Sequence, residues 1–409
     1  MAFPGILAIF LIFITSLACA ETRNWTSADG RVIEATILEL NGEIVRLRTS
    51  RGEFELSLDK LSTADQLFAK DWANKMAAAK PSEENGKPQA MTLGNFDNLK
   101  LGEWPQYVVA ELSLDQIEIV ESKDDDGKEQ FLYRTPHFEF HSPDRLSTSV
   151  VREFARIFEA TYAFVDQMPI GLAPGASENG FYKTKLYMSK DDYYSDGGMP
   201  GSGGMFTWRR RGQEMSGMIK VPLSNLGVEY TGTRFIVDHK KRSTTLTHEI
   251  VHQVMMRWLA SAMPVWLSEG LAEVVSSQDY NNGRFKLNSM NRSVAEEVTR
   301  GRGRDYTMLN LERLMTITHG EWSSDLASGR GGRNYDSANI LAYYFLRLDG
   351  EGNGTHLVEF LKEITSGNRG DDGKLAREKH LLRERSYEQL EKDLADAWRS
   401  EGLKIEFTE

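Results

Sequence analysis

The segment Thr247-His248-Glu249-Ile250-Val251-His252-Gln253 constrains this chain more than any other stretch. In an α-helix, residues four apart project from one face, so the imidazoles of His248 and His252 can reach a single point. Glu249 lies one residue along, at the margin of that face. Leu246, Ile250, Val251, Val254 and Met255 give the segment an apolar flank, which predicts a helix packed into a core. Seventeen residues beyond His252, after Pro264 has ended the preceding element, the chain reads Val265-Trp266-Leu267-Ser268-Glu269-Gly270-Leu271-Ala272-Glu273. A second helix there can set Glu269 against the first, since an unpaired carboxylate on a packed helix is costly. Two histidines and one carboxylate are the donor set of an open catalytic site for one zinc ion, whose fourth position holds water. Glu249 then stands where its carboxylate reaches that water without ligating the ion. Glu273, one turn beyond Glu269, faces the same way and can orient an imidazole by accepting its remaining ring hydrogen.

Cysteine usage agrees with nitrogen and oxygen donors. The 409 residues contain one cysteine, Cys19, so a disulfide framework and a thiolate zinc ribbon are excluded. Cys19 lies behind the apolar run Ile6 to Leu17, and Ala18-Cys19-Ala20 offers the small residues that signal peptidase recognises. Residues 1–20 are therefore expected to be a signal peptide, with export to the periplasm, the cell envelope or the outside. An uncleaved N-terminal anchor is the alternative, because no Lys or Arg precedes the apolar run. No later stretch reaches 18 uninterrupted apolar residues, so no transmembrane span is expected in the mature chain. With 60 acidic against 49 basic residues and a net charge of -11, a general nucleic-acid binder is disfavoured, because that role needs cationic surface.

Length alone predicts two or three folded units. Val32 to Leu40, Ile44 to Thr49 and Glu53 to Leu58 alternate apolar and polar residues, with Asp29-Gly30 and Asn41-Gly42 as turns. These predict a small barrel, followed by a helix from a Ser62 cap to Lys80, so that residues 21–80 form one domain. Residues 81–100 begin with the aperiodic PSEENGKPQA and read as a linker. From 101 to 409, strands are expected at Val108 to Leu112, Ile117 to Ser122, Gln130 to Thr135, Phe138 to His141, Lys183 to Met188 and Gly217 to Leu223. A helix is expected from Ser147 to Gln167, and helices dominate after Thr244. The fold class is α+β.

The phrases HEIVHQ and PVWLSEGLAE closely resemble those of gluzincin zinc metallopeptidases, the thermolysin-like and aminopeptidase-like enzymes, in which the Glu of the second phrase is the third metal ligand. Arg134-Thr135-Pro136-His137-Phe138-Glu139-Phe140, Gly197-Gly198-Met199-Pro200-Gly201 and Ser386-Tyr387-Glu388-Gln389-Leu390 look like a little-characterised bacterial branch of them. The resemblance implies a gluzincin-type domain with a mixed sheet and an active-site helix, and hydrolysis of protein or peptide substrates. His248, His252 and Glu269 would be the ligands and Glu249 the base. The G-A-M-E-N motif of the aminopeptidase branch is missing. The phrase Arg23-Asn24-Trp25-Thr26, with Asp29-Gly30, Leu58, Leu61, Asp65 and Trp72, is similar to the SH3-like Sla-type homology domain of exported bacterial proteins. It implies a tether, or a peptide or envelope partner for the barrel.

Related enzymes stabilise the oxyanion with a Tyr or His from a later helix, which nominates Tyr335 here and His319 after it. Tyr343 and Tyr344 lie in an apolar run and read as core. The Gly197 to Gly204 segment lacks the Gly-Lys-Ser/Thr ending of a phosphate loop and reads as a loop beside the cleft. Met218 to Val221 is either an edge for an extended peptide or an ordinary strand. Arg209 to Arg211 and Arg300, Arg302 and Arg304 are basic clusters, read as solvated surface or as contacts to an acidic substrate. The alternative to an enzyme is an inactive peptidase fold that scaffolds partners through its barrel. Intact candidate ligands and base argue for activity.

Overall fold

The computed structural model describes residues 22–70 and 96–408, apart from 28, 30, 42–43, 50–51, 63–64, 67, 97–98, 125–126, 173–179, 200–201, 212–213, 239–244, 260–262 and 366–372. The expected leader, the end of the expected first helix and most of the expected linker lie outside the described residues. The rest is mixed α+β and falls into two compact units, one containing residues 22–70 and the other 96–208 and 215–408.

In the smaller unit, β1 (Thr22–Thr26), β2 (Val32–Asn41), β3 (Ile44–Thr49) and β4 (Gly52–Ser57) form an antiparallel meander in chain order. Alternation puts Trp25, Ala35, Ile37, Val45 and Leu47 into one core with Leu58, Leu61 and Ala69. The Trp25 indole donates to the Ala35 carbonyl at 2.9 Å. Ser62 caps the helical turn that follows by accepting from the Asp65 N–H, while the Asp65 carboxylate accepts from Thr26 N at 2.7 Å. The expected barrel does not close among the described residues. β1 and β4 remain the two edges of an open sheet, bridged beyond it only by Ser27 and Leu61. Alternation reports which face is buried, not whether the edges meet.

The larger unit is built on a six-stranded sheet ordered β10-β11-β9-β8-β7-β6. Its strands are β6 (Glu118–Lys123), β7 (Glu129–Arg134), β8 (Phe138–Ser142), β9 (Tyr182–Tyr187), β10 (Met205–Arg211) and β11 (Glu214–Pro222), while β5 (Tyr107–Val109) pairs elsewhere. β6, β7 and β8 are antiparallel neighbours, whereas β8, β9 and β11 run parallel. The parallel step from β8 to β9 needs a crossover, supplied by α1 (Thr148–Gln167), whose N-cap Ser147 accepts from Val150 N. Phe154 and Phe158 of α1 meet Phe140 and Phe138 of β8 edge to face.

α2 (Lys190–Ser195) links β9 toward β10. Beyond the sheet come α3 (Thr245–Val254), α4 (Met256–Leu259), α5 (Val265–Ser276), α6 (Met290–Thr299), α7 (Leu311–Thr316), α8 (His319–Ala327), α9 (Gly331–Arg347), α10 (Thr355–Thr365) and α11 (Tyr387–Ser400). Gln253 ties α3 to the sheet by donating to Lys183 O of β9 at 2.6 Å. α5 lies so close to α9 that a Cβ on Gly270 would stand 2.4 Å from Ala338 O and 2.8 Å from Ala342 Cβ. No described helix is long and apolar enough to cross a membrane.

Candidate metal centre

Helix α3 is buried on almost every side, and its residues from Leu246 to Val254 are all buried. It therefore presents His248 and His252, four residues apart, to neighbouring protein rather than to water. Their Nε2 atoms face each other at 2.9 Å. Helix α5 brings Glu269 Oε2 to 3.2 Å from His248 Nε2 and 3.3 Å from His252 Nε2. Pro264 stands at the N-cap of α5, so the turn that aims Glu269 begins where the sequence places it.

Three groups able to donate electron pairs thus converge in a buried place, a setting suited to a cation among them. Ligand atoms about 2.0–2.1 Å from one tetrahedral zinc lie roughly 3.3 Å apart, close to the spacings found here. His248, His252 and Glu269 accordingly form a buried group that could hold a metal ion. Two imidazoles and a carboxylate suit zinc and also other first-row divalent metals.

The surroundings strengthen the group. Glu273 Oε1 approaches His248 Nδ1 at 2.9 Å, though not aligned as a hydrogen bond. Burial alone would lower the pKa of His248, but the carboxylates of Glu269 and Glu273 raise it well above the imidazole range. Burial would raise the pKa of Glu269, yet the two imidazoles hold it far below the ordinary carboxylate value.

Glu249 is fully buried. Its Oε2 accepts the backbone N–H of Phe206 at 2.7 Å, while Oε1 has no hydrogen-bond partner. Desolvation pushes its carboxyl above the usual range, against the pull of both imidazoles and of the Phe206 N–H. An orphaned carboxylate oxygen costs free energy unless something is there to receive it. Phe206 belongs to β10, the edge strand of the sheet, whereas Met218 to Val221 lies in the interior strand β11 between β10 and β9. Of the two readings of Met218 to Val221, the ordinary interior strand is the one the topology gives. The run Met205-Phe206-Thr207-Trp208 does not announce a strand by clean alternation, and a backbone donor leaves no trace in residue type.

Tyr335, on the first turns of α9, sets its ring edge to face against His248 with centroids 5.8 Å apart, and Trp322 also meets it edge to face at 5.3 Å. Burial and the nearby Glu269 raise its pKa. His319, at the start of α8, is lowered by burial and feels the charge of Glu269 in the opposite sense. Tyr343 and Tyr344 are core: the first packs on Trp398, and the second donates to Asp349.

Arg300 is exposed, as a surface reading expects, but it is also paired. It bridges α6 to α9 by donating to both oxygens of Asp336, at 3.0 and 3.3 Å. Arg209 is exposed, and the side chains of Arg210 and Arg211 lie outside the described residues. In the glycine-rich segment, Gly198 packs where a Cβ would meet the Tyr193 ring at 2.5 Å, and Asn225 donates to Gly203 O at 2.8 Å. Pro200 and Gly201 lie outside the described residues.

No protein-family model matches the chain, and no curated protein matches it.

Proposed function

We propose that the chain is an exported zinc-dependent metallopeptidase of the gluzincin type, with His248, His252 and Glu269 as ligands and Glu249 as general base. The reading rests on one observation: a three-donor cluster converges beside a buried glutamate that has one oxygen held by Phe206 and the other unpartnered. When bound, zinc supplies a Lewis acid that polarises the scissile carbonyl and makes water a competent nucleophile near neutral pH.

Glu249 Oε1 accepts a proton from the attacking water and returns it to the leaving amine. The raised pKa of its carboxyl suits both halves of that transfer. Glu273 supports His248 from behind by its charge, and Tyr335 donates its hydroxyl hydrogen to the developing oxyanion. Protein or peptide is the substrate class. The antiparallel meander of residues 22–57 supports an SH3-like module that tethers the enzyme or receives a peptide or envelope partner. Export rests on the leader-like residues 1–20.

The test is Glu249→Gln in the full chain, with a peptide library as substrate and metal content measured in parallel. The expected result is turnover reduced by about 10²- to 10⁴-fold with bound metal unchanged. Equal digestion by the variant overturns the mechanism.

A further inference from the structure

A second cluster of chemistry-bearing side chains lies apart from the metal ligands. Loop and helix ends around α7, α8 and α9 line an open cavity of about 480 Å³ whose lining includes Arg313, Arg330, Arg333, Asp325 and Asn334. Three guanidinium groups against one carboxylate leave a local excess of two positive charges, in a chain whose net charge is -11.

The carboxylate is already committed. Asp325 is buried, and its Oδ2 accepts from Arg313 Nη2 at 2.8 Å and Asn334 Nδ2 at 3.2 Å. Its Oδ1 accepts from Arg330 Nε at 3.2 Å and Nη2 at 3.0 Å. Asp325 therefore orients two arginines and cannot neutralise a third. A guanidinium has five N–H donors, so Arg313 and Arg330 retain donors beyond those given to Asp325. Arg333 is exposed and makes no ion pair among the described residues. The backbone does not crowd the space, since a Cβ on Gly332 would have nothing within 4 Å.

Planar guanidinium donors partly ordered by a buried acceptor suit recognition of oxyanions, because for Arg313 and Arg330 part of the cost of ordering is met before the ligand arrives. We infer that this cavity is an anion-binding site for a group bearing paired anionic oxygens, either a free oxyanion such as phosphate or the carboxylates of an acidic peptide. The inference is independent of the proposed peptidase activity, because Asp325, Arg313, Arg330 and Arg333 have no part in it.

The test is calorimetric titration of the full-length protein at one fixed low salt concentration, with inorganic phosphate and, separately, with pentaglutamate. Either probe can also meet the metal centre, so the readout is the difference between the unmodified chain and two variants. Arg333→Gln removes a guanidinium that holds no ion pair among the described residues, and Gly332→Glu places a competing carboxylate at the rim. Both should weaken binding about tenfold or more, which is the loss of one charge-assisted contact. Phosphate binding lost in both variants identifies a free oxyanion as sufficient, whereas pentaglutamate binding alone, lost in both, identifies an acidic peptide. No binding of either probe, or binding that neither variant changes, overturns the site.

Discussion

Glu249 shows how much one backbone group can decide. The Phe206 N–H occupies Oε2, so Oε1 alone is left unpartnered, and in the proposed reaction that oxygen is the one that moves the proton. That N–H is given to Glu249, and edge strands tolerate proline where the N–H is not needed by the sheet. Phe206→Pro should therefore lower kcat about tenfold relative to Phe206→Ala, with KM and metal content alike in the two, because both lose the phenyl ring and only proline loses the donor. Steady-state kinetics on the pair checks it, and equal kcat values would remove the role assigned to this N–H. At this scale the sequence was unevenly legible. His248, Glu249 and His252 could be read because spacing along one helix encodes their geometry. Glu269 required only the further inference that a second apolar helix packs on the first. Phe206 carries no such code, since its contribution comes from the main chain of a strand 43 residues away.

Between α5 and α9 the decisive residue is one that carries no chemistry. In a helix interior, alanine is favoured over glycine by about 1 kcal/mol, so Gly270 looks like a poor choice until Ala338 O is placed opposite it. Overpacking costs about 1–3 kcal/mol and outweighs that gain, so Gly270→Ala should lower stability and, by displacing Glu269, weaken metal retention. Thermal melting and metal analysis of the variant check both. On the sheet, Asp196 joins β9 to β11, accepting from Tyr187 and standing 3.0 Å from both Lys185 and Lys220. Burial alone would raise its pKa, but these three partners hold it at about 2, below the ordinary 3.8. A depressed acid stabilises the fold above its unfolded pKa and loses that contribution as pH falls through the folded one. Asp196→Asn should therefore melt lower than the unmodified chain at pH 7, and the gap should narrow as pH drops from 4 toward 2. A gap independent of pH would assign Asp196 a merely steric role. Sequence patterning located the sheet strands β6 to β9 and β11 and helix α1 closely, because each has its own period. It missed β10, where alternation is blurred by the run Arg209-Arg210-Arg211, and it left open whether β11 was an edge or an ordinary strand, because strand order depends on long-range pairing that local pattern does not contain.

For the molecule as a whole, the α+β class and the change from strands to helices after residue 244 could be read from periodicity. Closure of the N-terminal sheet could not, since it depends on how far two edges curl toward each other. All eight histidines lie outside residues 21–80. A strong chelator should accordingly lower the melting temperature of the larger unit, because an ion at one thousand times its dissociation constant adds about 4 kcal/mol to the folded state. Any transition of the smaller unit should stay in place. Calorimetric scans with and without chelator check this, and an unshifted larger unit would mean that the three-donor cluster carries no structural ion. The close seat of Gly270 on Ala338 and Ala342 also reaches beyond stability, to how this sequence can change over generations. A larger side chain at any one of the three positions is blocked unless another shrinks or the helices part, and parting them moves Glu269. The three positions should therefore drift together or not at all, and a library randomised at all three and selected for folding should return them as correlated sets of small residues.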